Sequence, residues 1–167
     1  MAVPKQSRKP RAEPKPPEVA TAPGAGDEAV RNYRVEEQIG YVLRCVHQRA
    51  TEIFNATMGR HGVTPTQFTV LAKLSDLGSV SQNQLGRLTA MDPATTSGVV
   101  ARLLSRGFVA QSPAPEDARL VLLSLTPVGK AAVAEMKVDA AEVSRRTLAP
   151  LAPEEASALL AMLAKLK

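Results

Sequence analysis

The sequence predicts a mostly α-helical chain with one small β-hairpin, and three observations carry that expectation. The apolar residues are mostly Ala and Leu, which favour helix, while aromatics make up only 3% and Trp is absent. Apolar positions recur at three- and four-residue intervals in several runs, each opened by a capping residue. Only Phe108 to Ser112 and Leu120 to Leu125 are short and rich in Val, Leu and Phe, with a polar turn-forming stretch between them.

The 167 residues suffice for one domain with a real core. The formal net charge of +5 suits an anionic partner without proving one. Cys45 stands alone, so no internal disulfide is available and nothing implies secretion. No apolar run approaches the roughly 20 residues of a membrane helix. The basic, Pro-rich N-terminus lacks the apolar stretch of a signal peptide. The cytoplasm is the expected compartment, and no membrane partner is expected.

Residues 1–30 hold six of the thirteen prolines, and Lys5, Arg8, Lys9, Arg11 and Lys15 crowd the start. Such a segment cannot bury enough surface to offset its ordering entropy, so a disordered tail is expected, either merely solvated or a loose arm for phosphates. Residues 31–167 form the expected domain. Periodicity from Val35 through Ile39, Val42, Leu43, Val46, Ala50, Ile53, Phe54 and Met58 gives a long first helix ending near Gly59 to Gly62. Thr64-Pro65-Thr66-Gln67 reads as a capping box for a second helix carrying Phe68, Val70, Leu71 and Leu74. Ser81 and Gln84 open a short third helix with Leu85 and Leu88 inward. Asp92-Pro93 starts a fourth with Thr96, Val99, Val100, Leu103 and Leu104 inward, and Gly107 ends it. After the hairpin, Thr126-Pro127 caps a fifth helix to about Thr147, and Pro153 starts a sixth with Leu159, Leu160, Leu163 and Leu166 along one side.

A short helix, a tight turn, a second helix and a hairpin are the order of a winged helix-turn-helix, with the hairpin as wing. In that arrangement the helix from Pro93 enters a major groove of duplex DNA while the helix from Ser81 braces it. Thr95, Gly98, Arg102 and Ser105 share its outward stripe, and Thr96 and Ser97 flank them. Hydroxyls there can meet phosphates or bases, and Arg102 can reach a guanine edge. Each of these residues could equally lie on a merely solvated face.

The stretch from Leu85 through Asp92-Pro93-Ala94-Thr95-Thr96-Ser97 to Gly107 and Val109 resembles the MarR family of bacterial regulators. So does Asp117, one spacer, Arg119, followed by Leu125, Thr126 and Gly129. The resemblance covers about residues 35–167. It implies a homodimer built from the first and last helices (about 35–60 and 127–167), a DNA-binding lobe at about 64–125, and a palindromic operator. It also implies that Arg119 enters a minor groove from the wing tip, held by a carboxylate–guanidinium pair with Asp117. A surface ion pair is the plainer alternative. Gly98 departs from the larger or basic side chain many members carry.

The resemblance further implies release from DNA by a small molecule, often an aromatic carboxylate. The first helix offers Tyr41, Arg44, His47 and Arg49 beside its apolar stripe, cations for a carboxylate and walls for a ring. The run from Glu37 to Phe54 is similar to the subgroup that represses nicotinate degradation, so nicotinate-type acids are the first expectation. A redox-sensing regulator using Cys45 stays open, although the position matching the peroxide-sensing cysteine falls at Gly40. An adaptor that never touches DNA is also open. An enzyme is not expected: His47 and His61 fall in no metal-ligand spacing, and no phosphate loop or nucleophile motif occurs. No cofactor is expected.

Overall fold

In the computed structural model, which describes residues 30–117 and 119–166, contacts divide the chain after Gln38. The tail reading of residues 1–30 therefore lies, Val30 apart, outside the described residues, as does Ala118 in the wing. In the first unit a 3-10 turn spans Val35–Glu37, and the Gln38 side-chain amide donates to Arg34 C=O at 3.0 Å. Gln38 is extended, so the long helix starts four residues later than its periodicity suggests.

In the second unit, among the described residues, there are six α-helices and three strands. They are α1 (Ile39–Met58), α2 (Pro65–Leu77), β1 (Ser79–Ser81), α3 (Gln82–Leu88), α4 (Pro93–Ser105), β2 (Val109–Pro113), β3 (Val121–Leu125), α5 (Pro127–Leu148) and α6 (Pro153–Ala164). Local chemistry sets most of these starts. The Thr64 hydroxyl accepts from Gln67 N–H at 3.2 Å, and the Gln67 side chain accepts from Thr64 N–H at 3.0 Å. The Ser81 hydroxyl caps α3 (3.3 Å), Asp92 caps α4 (2.9 Å) and Thr126 caps α5 (3.0 Å). Each satisfies a backbone donor the helix cannot, worth about 1 kcal/mol. Proline occupies the first turn of α2, α4, α5 and α6.

The hairpin is part of a three-stranded antiparallel sheet in the order β1-β3-β2. β3 pairs with β2 (Val109 opposite Leu125) and with β1 (Val80 opposite Leu123). The sequence reading has no β1, since three residues between Gly78 and a capping serine show no alternation. The fold class is the expected one, mostly helical with a small wing sheet.

The core joins the lobe to parts of the long helices. Leu71, Leu74, Leu85, Leu103 and Leu123 are buried with Phe54 and Met58 of α1 and Val133 and Met136 of α5. Each such side chain contributes roughly 1.5–3 kcal/mol on burial. Leu88, expected inward, is 44% exposed, because α3 ends there and the chain turns away. Elsewhere large apolar side chains remain open: Ile39, Val42, Leu43 and Val46 on α1, and Leu160 and Met162 on α6. Among the described residues no helix is long and apolar enough to cross a membrane.

Candidate nucleic-acid interface

The two helices of the motif are set by their turn. After α3, Ala90 takes a left-handed conformation (φ 52°), Ala90 N–H donates to Arg87 C=O, and Met91 N–H donates to Gly86 C=O at 3.0 Å. This is a Schellman closure with Ala where Gly is usual. Gly86 lets the helices cross closely: a Cβ there would lie 2.9 Å from Thr96 Oγ1 and 3.3 Å from Met91 O.

That crossing corrects one site expectation. Thr96 is 1% exposed, and its hydroxyl donates to Asp92 C=O at 2.8 Å. It is a packing residue at the helix crossing, turned away from the exposed face of α4. Thr95, Ser97, Gly98, Arg102 and Ser105 are exposed on the other side of α4. The Thr95 hydroxyl donates to the Asp92 carboxylate at 2.5 Å, and this bond, with the Thr95 backbone N–H, holds the Asp92 carboxyl below its ordinary 3.8. In this rotamer Thr95 offers only acceptor lone pairs outward, so donating to a phosphate requires it to leave Asp92. Around Gly98 a Cβ meets nothing within 4 Å, so the stripe has a shallow gap there.

The wing corrects a second expectation. Asp117 Oδ1 accepts from the backbone N–H of Arg119 at 2.9 Å, and Leu120 N–H donates to Asp117 C=O at 2.9 Å. Asp117 thus shapes the turn through the backbone. Among the described residues the Arg119 guanidinium makes no ion pair. It is exposed and available to a phosphate or groove.

Sequence reasoning missed the tie at the far end of α4. The Arg106 guanidinium donates to Gly62 C=O (2.7 Å) and His61 C=O (2.9 Å), and lies 4.6 Å from the Phe108 ring centre. The nearly buried His61 ring meets Asp139 of α5 at 2.7 Å, and Arg60 meets the same carboxylate at 2.8 Å. The hydrogen bond from His61, then Arg60, holds the Asp139 carboxyl below its ordinary value. The turn that follows α1, the end of α4 and the middle of α5 are thereby joined at one point. Partners this far apart in sequence leave no local signal.

The four residues expected to hold an effector are split. Arg44 lies over the Tyr41 ring, 5.6 Å from its centre. His47 is exposed, and its backbone carbonyl accepts from Thr51. Arg49, two residues on, is about 160° round the helix from His47. It lines a cleft of about 440 Å³ with Glu52 and Ile53 of α1, Arg145 and Arg146 of α5, and Ala149. The helix thus separates Arg49 from its sequence neighbour His47. Cys45 is exposed. Among the described residues no cluster of His, Cys, Asp and Glu could hold a metal.

Over 134 residues the chain is 39% identical to the HTH-type transcriptional repressor NicR of Pseudomonas putida, covering 80% of this chain and 85% of that one. The chain belongs to the MarR family. The MarR family profile itself matches residues 63–121, from the loop before α2 into the start of β3. A crystal structure of a probable transcriptional regulator from Pseudomonas aeruginosa is 46% identical, with a TM-score of 0.76 over 80% of this chain and 100% of that one. BpsR of Bordetella bronchiseptica is 40% identical, with a TM-score of 0.76 over 80% of this chain and 96% of that one. Its structure is described as a mechanism for regulation of DNA binding by 6-hydroxynicotinic acid.

Three residues of the MarR resemblance lie beyond the matched profile, and the structure gives them physical roles. Leu125 is 7% exposed, in the core. The Thr126 hydroxyl donates to Gly107 C=O at 2.6 Å while capping α5. Gly129 lies so close to the Phe108 carbonyl that a Cβ would overlap it. The Leu-Thr-x-x-Gly pattern thus ties the residues that follow α4 to the start of α5.

Proposed function

We propose that this MarR-family chain is a transcriptional repressor that binds a palindromic operator as a homodimer and leaves it when a small aromatic carboxylate binds. The observation that carries the reading is the exposed stripe of α4, Thr95, Ser97, Gly98 and Arg102, beside a wing whose Arg119 is unpaired among the described residues. In this reading α4 occupies a major groove, Arg119 reaches the adjacent minor groove, and Asp117 keeps the wing turn in shape. The open apolar side chains of α1 and α6 support a second copy as the surface that covers them, since apolar area of this kind normally meets another chain. A two-fold axis then sets two recognition helices about one DNA turn apart, roughly 34–36 Å.

The similarity to NicR, and to BpsR with its 6-hydroxynicotinic acid, supports a nicotinate-type acid as the effector. Release follows if the acid binds better to a dimer whose helices are wrongly spaced for the groove; a few kcal/mol of differential affinity empties an operator. The test is a mobility shift and footprint on DNA from the chain's own promoter region, with and without nicotinate and 6-hydroxynicotinate. Protection of two half-sites that disappears with acid is expected. Arg119→Ala is expected to weaken binding by about 1–3 kcal/mol with the fold intact. No shift on any genomic fragment favours the adaptor reading. Release by peroxide, lost in Cys45→Ser and indifferent to acids, favours redox sensing.

A further inference from the structure

Along its length α4 rests on α2, α3 and β2. Just past its end, two side-chain ties lead out toward the long helices. The Thr126 hydroxyl donates to Gly107 C=O at 2.6 Å and fixes that residue to the start of α5. Arg106, the C-cap of α4, reaches the other way, to the turn after α1. There Gly62 is left-handed (φ 62°), and two successive peptide carbonyls, those of His61 and Gly62, meet one guanidinium at 2.9 and 2.7 Å. The Phe108 ring flanks that guanidinium, with its centre 4.6 Å away. The turn is anchored in its own right. The His61 side chain is 8% exposed, and its ring and the Arg60 guanidinium share Asp139 Oδ2, at 2.7 and 2.8 Å. A chain of bonds thus runs from the middle of α5, through the turn, to the C-cap of α4.

We propose that Arg106 is a positioning residue for operator recognition: through His61 and Gly62 it fixes the angle of α4 against the long helices, and so the half-site spacing a dimer accepts. This rests on the operator and homodimer reading above and names the residue that sharpens its geometry. Arg106 acts without touching DNA, since both terminal nitrogens are engaged on peptide carbonyls. Core packing at Val133 and Met136 holds the lobe to α5, but apolar contact is not directional. At the end of α4 the directional holds are the Thr126 bond and the Arg106 pair. One of them alone leaves a pivot; the second removes it. The guanidinium is a rigid planar fork, so two carbonyl acceptors fix its plane as well as its place. One base pair moves a half-site by about 3.4 Å along the duplex and turns it by roughly 35°. A recognition helix locked to the dimer helices cannot follow that step without losing contacts. A helix free to rock can follow it, at the cost of being ordered on binding.

The test uses the full-length protein and the palindrome that wild type enriches from a random duplex library, remade with one base pair inserted or removed at its centre. Wild type is expected to lose about ten-fold or more in affinity on either change. Arg106→Met keeps an unbranched stem beside Phe108 and removes the donors. It is expected to bind the parent palindrome several-fold less tightly, yet to lose only about three-fold when the spacing changes. Arg119→Ala, which removes a groove contact of the proposed complex, is expected to weaken all three spacings by one factor. Asp139→Ala loosens the turn without touching α4. It is expected to shrink the spacing penalty as Arg106→Met does, and it stands in if Arg106→Met does not fold. The salt slope of Arg106→Met is expected to equal that of wild type; a slope shallower by about 0.9 makes Arg106 a phosphate contact and overturns the positioning role. An undiminished spacing penalty in Arg106→Met, or in its stand-in, overturns the proposal while the operator reading stands. If wild type enriches no palindrome, the operator reading and the proposal fall together.

Discussion

The DNA-binding lobe and the outer parts of the long helices treat their apolar side chains in opposite ways. In the lobe Leu71, Leu85 and Leu103 are 0% exposed, and each helix start has a side-chain cap. On the first half of α1, Ile39 is 62% exposed and Val46 is 49% exposed, and on α6 Leu160 is 55% exposed. Both regions are helical, so propensity does not separate them. The lobe closes its own core within one chain. The outer helices have apolar stripes that no part of the described chain covers, and helices of this length in water owe little stability to local structure alone. The lobe therefore packs its apolar side chains within the chain, whereas in the proposed homodimer the outer helices are half of an interface.

Four experiments can break or sharpen that contrast. The largest effect is expected where the lobe joins α5. Gly129→Ala forces a Cβ into the Phe108 carbonyl, which is backbone and cannot swing aside, so a loss of about 3 kcal/mol or more is expected in denaturant unfolding. A near-neutral result would mean the junction is looser than the lobe itself. On the outer helix, Leu43→Glu adds charge to the open stripe. It is expected to weaken association by about 2 kcal/mol, roughly thirty-fold in sedimentation, without exposing the lobe core. A variant with unchanged association would remove α1 from the interface.

A smaller gain is expected inside the motif. Ala90→Gly relieves a left-handed alanine and should raise stability by about 1 kcal/mol, read as a melting rise of about 2–4 °C. An unchanged or lower melting temperature would show that the turn is not strained. The smallest effect concerns Asp139. Its carboxyl is held below the ordinary 3.8 by His61 and then Arg60, so its stabilisation is present above that value and fades as pH falls through the folded one. Melting curves taken from about pH 6 down to about pH 3 should fall less steeply in Asp139→Asn than in wild type. Parallel curves would detach this contact from acid stability.

The parts of the fold legible in the sequence are those decided within a few residues. Thr64, Ser81, Asp92 and Thr126 cap the helices they were expected to open, because a cap and its acceptor lie three residues apart. β1 was illegible because its partner, β3, lies more than forty residues away and three residues carry no alternation. The interface stripe was legible as a helical period, yet Thr96 shows its limit: a hydroxyl on the inward side is satisfied by Asp92 C=O and packs beside Gly86. Asp117 and Arg119 are neighbours as expected, but their bond runs through the backbone, which residue type alone does not reveal. Arg49 shows the opposite error, since closeness in sequence put it with His47 when the helix turns it toward α5.

The Arg106 tie bears on how operator binding can be measured. Its two acceptors are peptide carbonyls of His61 and Gly62, neutral groups, rather than a carboxylate. Added salt screens charges from each other but has little leverage on a hydrogen bond of this kind. Raising ionic strength should therefore strip phosphate contacts from the complex without tilting the reading head. The slope of log affinity against log salt then counts phosphates neutralised, at about 0.9 per contact, undistorted by any loosening of the Arg106 tie.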